Sequence, residues 1–365
     1  MASRAAFIAC VLVATAGCGQ TENPEAAFLE YELAVAEALE LAVTPVPAER
    51  FRYPGRPARK LVIEPVRLDL DEFWGFQRCG LRTLIAEHNT ILGRAESDFL
   101  HAPYEHELRV TLVQCRGTVL EAPEAANGAT GSEPLADDDA EEFVALIDEV
   151  LERKEQEQDA FLWNLTFGSR EFAGLFASAA APLAIGAESP YAPTAEIEHL
   201  ASLIDGFGDA GFNLDVDALV DTMRELEVGR FGGTYFESLT IGRRGLERIN
   251  AQLATVNERT LCPMSSSTRR ARELESAFRW HYVRTLQPWL AALSRAGDGW
   301  FRATAALFEE QQHVMPESFA GFARAYLDPE AADGVFSRQR QAIAEHAGHW
   351  QRIFKSCGIP LVYGD

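Results

Sequence analysis

Apolar residues recur every three to four positions along most of the chain, the spacing of one buried helix face. Over 71–93, Leu81, Leu84, Ile85, His88 and Leu92 share such a face, and over 102–120 Leu108, Leu112, Cys115 and Val119 do. Pro24–Leu41 starts with proline and holds strong helix formers. Asp137–Asn164 opens on an acidic turn and carries Phe143, Ile147, Val150 and Leu151 in register. The same reading predicts helices at about 194–207, 214–228, 233–259, 267–286, 289–312, 317–326 and 330–356. The pattern therefore predicts an all-α fold, an antiparallel bundle of about ten helices with short connections. Only Lys60–Leu70 looks strand-like, and Pro65 limits it to a short extended segment near 60–66, at an edge or in an arm. Before it, residues 44–59 carry four prolines and four arginines and read as a stiff linker. A single domain over 24–365 is expected, with candidate subdomain seams at 122–135 and 179–193.

The N-terminus departs from this pattern. A positive start at Met1–Arg4 is followed by ten apolar residues, Ala5–Ala14. That run is half the length a spanning helix needs and matches a signal-peptide core. Thr15-Ala16-Gly17-Cys18 then resembles the lipobox of bacterial lipoproteins, with Thr15 where leucine is more usual. The resemblance implies removal of residues 1–17 and acylation of Cys18, which would join the lipid bilayer through several acyl chains and so hold stably. Gly19, where aspartate often signals retention at the inner membrane, favours the periplasmic face of the outer membrane. Residues 18–23 leave a tether that reaches roughly 20 Å when extended.

Composition sharpens the picture. The 365 residues carry 33 basic and 55 acidic side chains, and loss of Arg4 with the signal takes the formal charge from −22 to −23. Such a surface excludes nucleic acid as a partner, and it cannot hold the body on an anionic bilayer by charge. Of six cysteines, Cys10 leaves with the signal and Cys18 takes lipid. Cys79, Cys115, Cys262 and Cys357 remain for two disulfides in an oxidising compartment, with three connectivities open. Cys79 and Cys115 are equidistant from residue 97, inside the turn of the 71–93/102–120 hairpin, so their pairing is favoured. Cys262 with Cys357 follows by elimination.

The stretch Cys79-Gly-Leu-Arg-Thr-Leu-Ile-Ala-Glu-His-Asn89-Thr-Ile-Leu-Gly93, with Tyr104-Glu105 and Cys115 behind it, resembles an uncharacterised family of Gram-negative lipoproteins, domain of unknown function 3080. Cys262-Pro263 and Gln287-Pro288-Trp289-Leu290 add to the likeness. It spans nearly all of the chain after the signal, implies a lipoprotein of unknown activity, and carries over no catalytic residue.

Candidate chemistry is sparse. Gly206-Phe-Gly208-Asp-Ala-Gly211 matches a dinucleotide fingerprint but follows a helix, so it reads as a helix stop and turn. Asn213-Leu-Asp215-Val-Asp217 lacks the glycine and glutamate of a calcium loop and reads as a helix cap. His346 and His349, at i and i+3, lack a third ligand and read as a solvated helix face, so no metal site is expected. Ser265–Ser267 read as a cap. Glu87, His88, Asn89, Tyr104 and Glu105 form a candidate polar cluster near the hairpin turn, with His88 on the apolar stripe as a hydrogen-bonded core histidine. Trp280, Trp289 and Trp300 either fill the core or form an aromatic surface for a partner, and Pro288 is expected to kink or end the helix between them.

The expected function is a non-enzymatic binding or accessory module of the cell envelope, without a cofactor, whose partner is an envelope protein or a small ligand. The alternative is a periplasmic hydrolase or metal-dependent enzyme using scattered Glu and His residues. A deep pocket with convergent Glu, His and Asn would favour the enzyme, and a pocketless body with an exposed aromatic patch the binder.

Overall fold

Asn23 starts the folded body: its carboxamide accepts from Glu25 N at 2.9 Å and Pro24 takes the first helical position. In this computed structural model the described residues are 23–43, 49–90, 97–121, 136–177, 180–188, 190–209 and 211–360. The signal segment, Cys18, and the seam at 122–135 lie outside them. Among the described residues the fold is an all-α bundle with no strand, and no helix is long and apolar enough to cross a membrane.

Helix α1 (Pro24–Leu39) buries Phe28, Tyr31 and Val35. Next come a single turn, α2 (Arg56–Arg59), then α3 (Leu70–Gly75) and α4 (Leu81–His88). The single helix expected over 71–93 is broken at 76–80. Gly80 takes a φ of +73°, which suits glycine, while Phe76 turns fully inward. A 3₁₀ turn, Asp98–His101, leads into α5 (Ala102–Glu121), which pairs with α6 (Asp137–Leu165). Then follow α7 (Arg170–Leu175), α8 (Thr194–Gly206), α9 (Val216–Gly229), α10 (Phe231–Ala254), α11 (Glu258–Leu261), α12 (Arg269–Ala277), α13 (Gln287–Gln311) and α14 (Val335–Cys357).

The centre of the bundle is α10, buried on nearly every side and flanked by α1 and α14. Gly245 lets α1 approach, because a Cβ there would fall inside the Phe28 ring. Gly245→Ala is expected to cost about 1–3 kcal/mol in urea unfolding through overpacking, whereas Gly117→Ala, with open space around it, should not destabilise.

Pro288 does not end its helix. The path runs unbroken from Arg269 to Gln311, because Phe278–Leu286 widens to π-helical geometry before the proline. A π turn changes the carbonyl register that proline would otherwise violate.

The apolar side chains form two separate clusters. The larger gathers α1, α7–α10 and α12–α14 with the last turns of α6. The smaller joins Phe76, Leu81, Ile85, Leu108 and Leu112 to Phe143, Ile147 and Val150 of α6. The division therefore runs along α6, a continuous helix that serves both. Each cluster holds one disulfide: Cys79–Cys115 and Cys262–Cys357 pair as expected, with Cα–Cα distances of 5.4 and 5.0 Å.

Candidate functional site

Where the two clusters part, the chain forms a half-open cavity of about 970 Å³. One wall is the extended segment 60–69. It alternates half-buried Leu61, Ile63, Val66 and Leu68 with exposed neighbours, the register slipping once at Pro65. No strand pairs with it. Instead the Asn164 carboxamide mimics one, accepting from Leu61 N at 2.8 Å and donating to Leu61 O at 2.9 Å.

The segment is fastened upstream. Buried Glu237 accepts from Arg50 Nη1 at 2.7 Å and Phe51 N at 2.8 Å. Buried Arg243 donates to Glu49 and Glu247, each at 2.8 Å. Tyr53 stacks on Phe176 and donates to Phe167 O, and Trp163 donates to Arg59 O. The linker expected over 44–59 is thus held, from Glu49 onward, against the larger cluster.

The opposite walls come from α3–α6, and they are polar at one end and apolar at the other. At the polar end, the Lys154 ammonium meets Glu105 at 2.7 Å, both side chains only 12% exposed. Lys60 meets Asp98 at 2.7 Å. The His88 ring lies parallel to Tyr104 at 3.7 Å and edge-on to His101 at 5.1 Å. Burial, and after it the Glu105 charge, pushes the Tyr104 hydroxyl well above its ordinary pKa. Burial also raises Glu157 above the usual carboxylate value, with Lys154 opposing. At the apolar end stand Phe73, Phe76, Ile85, Leu108, Leu112 and Val150. From Glu105 to Leu112 along α5 is about 10 Å at 1.5 Å per residue.

Four of the five residues of the expected polar cluster line this cavity: His88, Asn89, Tyr104 and Glu105. Glu87 is exposed and turned away. His88 is not a core histidine but a half-buried ring on the cavity wall. The sequence reading missed Lys60, Lys154, Glu157, Phe161 and Asn164. The signal for the α6 set was their shared face, at i, i+3, i+7 and i+10 from Lys154, which on a charged helix reads as solvated.

The other candidates fall elsewhere. The aromatic surface is corrected: Trp280 is 59% exposed under Arg284, but Trp289 and Trp300 are 3% and 0% exposed and belong to the core. Trp289 donates to Leu183 O, and Trp300 packs among Phe176, Phe231 and Phe236. These tryptophans point inward because the stripe of α13 faces the larger cluster.

His346 is corrected too: it is fully buried, not on a solvated face. Trp350 Nε1 donates to its Nε2 at 3.1 Å, which leaves Nδ1–H to donate to Asn250 Oδ1 at 2.9 Å. Tyr31 Oη stands 3.2 Å from Nε2. Burial, with repulsion from His349 behind it, lowers the His346 pKa from 6.5 to about 3. His349 faces Arg352 instead, so the two imidazoles do not converge on a metal. Among the described residues no group of three His, Cys, Asp or Glu side chains is placed to hold one.

The glycine motif is a turn: Gly208 has a φ of +92°, and His106 accepts from Gly208 N and donates to Phe212 O. Asp215 caps α9 through Ala218 N. The cap of α12 is Thr268, accepting from Ala271 N, rather than Ser265–Ser267.

Comparison with known families adds one decisive match. The family model described as "Protein of unknown function (DUF3080)" covers residues 28–361. The chain belongs to the DUF3080 family. No curated protein and no solved structure matched it. The matched span includes the smaller cluster, all of the larger one but Ala27, both disulfides and the whole cavity, so in this DUF3080 protein the cavity is part of the family's own domain.

Proposed function

We propose that this protein is a lipid-anchored binding module on the periplasmic face of the outer membrane, and that the cavity beside residues 60–69 takes a small amphipathic ligand. The observation that carries the reading is the cavity's polarity gradient. About 970 Å³ is at the upper end of ordinary ligand sites, and it runs from the Lys154–Glu105 pair to an apolar end. Two of its polar groups are engaged with neighbours: Glu105 with Lys154, and His88 with Tyr104. That supports binding over the alternative, a hydrolase, although Glu, His and Asn do converge there. The address rests on the lipobox-like run to Cys18 and on two disulfides that suit an oxidising compartment.

Two measurements test this. Cys18→Ser is expected to move the protein from the membrane to the soluble periplasmic fraction; unchanged membrane association would refute the anchor. The uncharged fluorophore N-phenyl-1-naphthylamine should brighten on binding the wild type. Ile63→Trp, filling the cavity from its half-buried wall, should reduce that signal at least tenfold while leaving the circular dichroism unchanged. Equal brightening in both proteins would place the apolar site elsewhere.

A further inference from the structure

Resting on that reading, we infer that the ligand carries a cationic amine head, seated at the Glu157 end of the cavity, on an apolar chain that runs toward Leu112. The charge arrangement selects the head. Of the two ammonium groups lining the polar end, Lys60 is taken by Asp98 and Lys154 by Glu105, each at 2.7 Å. Glu157 lines the same end and forms no ion pair among the described residues within 4.0 Å. Two further cations act on Glu157 without lining the cavity, Arg153 first and Arg109 after it. The Arg109 guanidinium donates to Lys154 O, its stem lies against Gly208, and its charge is shared among Glu105, Glu155 and Glu157. Arg67 lines the cavity together with two further carboxylates, Glu64 and Asp69. Among the described residues the lining thus has three cations against five carboxylates.

A surplus carboxylate in a partly buried site is stabilised by an incoming cation and destabilised further by an anion. The chain of the ligand then follows the apolar side chains toward Leu112. Leu108, Leu112 and Val150 continue from the polar end, and Ile63, Val66 and Leu68 close over them. An amine head of this kind occurs both on single-chain phospholipids bearing ethanolamine and on simple long-chain amines, and the site recognises what they share.

Titration calorimetry at pH 7.5 on the full mature chain tests the assignment, with decylammonium, decanoate, butylammonium and a single-chain decanoyl phosphoethanolamine lipid as probes. Decylammonium is expected to bind at least tenfold tighter than decanoate, and butylammonium, without the chain, at least tenfold weaker than decylammonium. Glu157→Gln, at a half-exposed position that tolerates an amide, should reduce the ammonium preference to less than threefold while the uncharged fluorophore still binds. Tighter binding of the phosphoethanolamine lipid than of decylammonium would assign the source as a phospholipid, and the reverse a free amine; either supports the cationic head. Decanoate binding as well as decylammonium, or an unchanged preference in Glu157→Gln, would overturn the head assignment with the cavity reading intact. Failure of every probe and of the fluorophore would overturn the cavity reading itself.

Discussion

Replacing Cys262 and Cys357 together by serine is expected to lower the unfolding free energy by about 5 kcal/mol, the loop-closure value for 95 residues. The bond joins the loop after α11 to the last residue of α14, and both sulfurs are buried in the larger cluster. Its loss should therefore appear as a shift of the whole transition. Removing Cys79–Cys115, which closes 36 residues, should cost about 4 kcal/mol but act on the smaller cluster. That cluster supplies the apolar end of the cavity, so fluorophore binding should weaken before the larger cluster melts. Denaturant unfolding of both double variants, followed by intrinsic tryptophan fluorescence and by bound fluorophore, separates the two. Coincident loss of both signals in each variant would show that the clusters do not unfold separately.

The second large effect is a dependence on pH. His346 holds its neutral form in the fold down to about pH 3, whereas in the unfolded chain it protonates near 6.5. Between those values the unfolded state binds the extra proton, so this histidine's contribution is complete above pH 6.5 and is lost as pH falls. The loss runs at up to 1.36 kcal/mol per pH unit, which is roughly 2 kcal/mol by pH 5. No nearby carboxylate offsets it: the ring faces Asn250, Tyr31, Trp350, Tyr282 and Phe278. His346→Asn should be less stable at pH 7.5, yet it should lose about 2 kcal/mol less than the wild type between pH 7.5 and 5.0. Equal acid slopes would contradict the assignment.

Much of this fold is legible in the helical periodicity, and the reasons differ from place to place. The faces of α5 and α6 could be read because apolar residues repeat at three and four positions over several turns. The disulfide pairing could be read because two cysteines equidistant from a turn are brought to the same height. The break at 76–80 was hidden, since Leu81 to His88 continues the apolar stripe and only Gly80 marks the turn. His346 looked solvated because Glu345 precedes it and Ala347-Gly348 follow, while its true partners, Tyr31 and Asn250, arrive from α1 and α10. The cavity was half legible. His88, Asn89, Tyr104 and Glu105 sit near one turn and were placed together from sequence. The wall at 60–69 and the α6 residues reach them only through tertiary packing, and Asn164 pairing with a backbone leaves no local signature.

The central claim is that the cavity beside residues 60–69 holds a ligand in the cell envelope. Native mass spectrometry of the protein, purified under mild conditions from the cells that make it, tests this most directly. The wild type is expected to carry a discrete non-covalent adduct that is missing from the Ile63→Trp variant. The same adduct on both proteins, or none on the wild type, would contradict it.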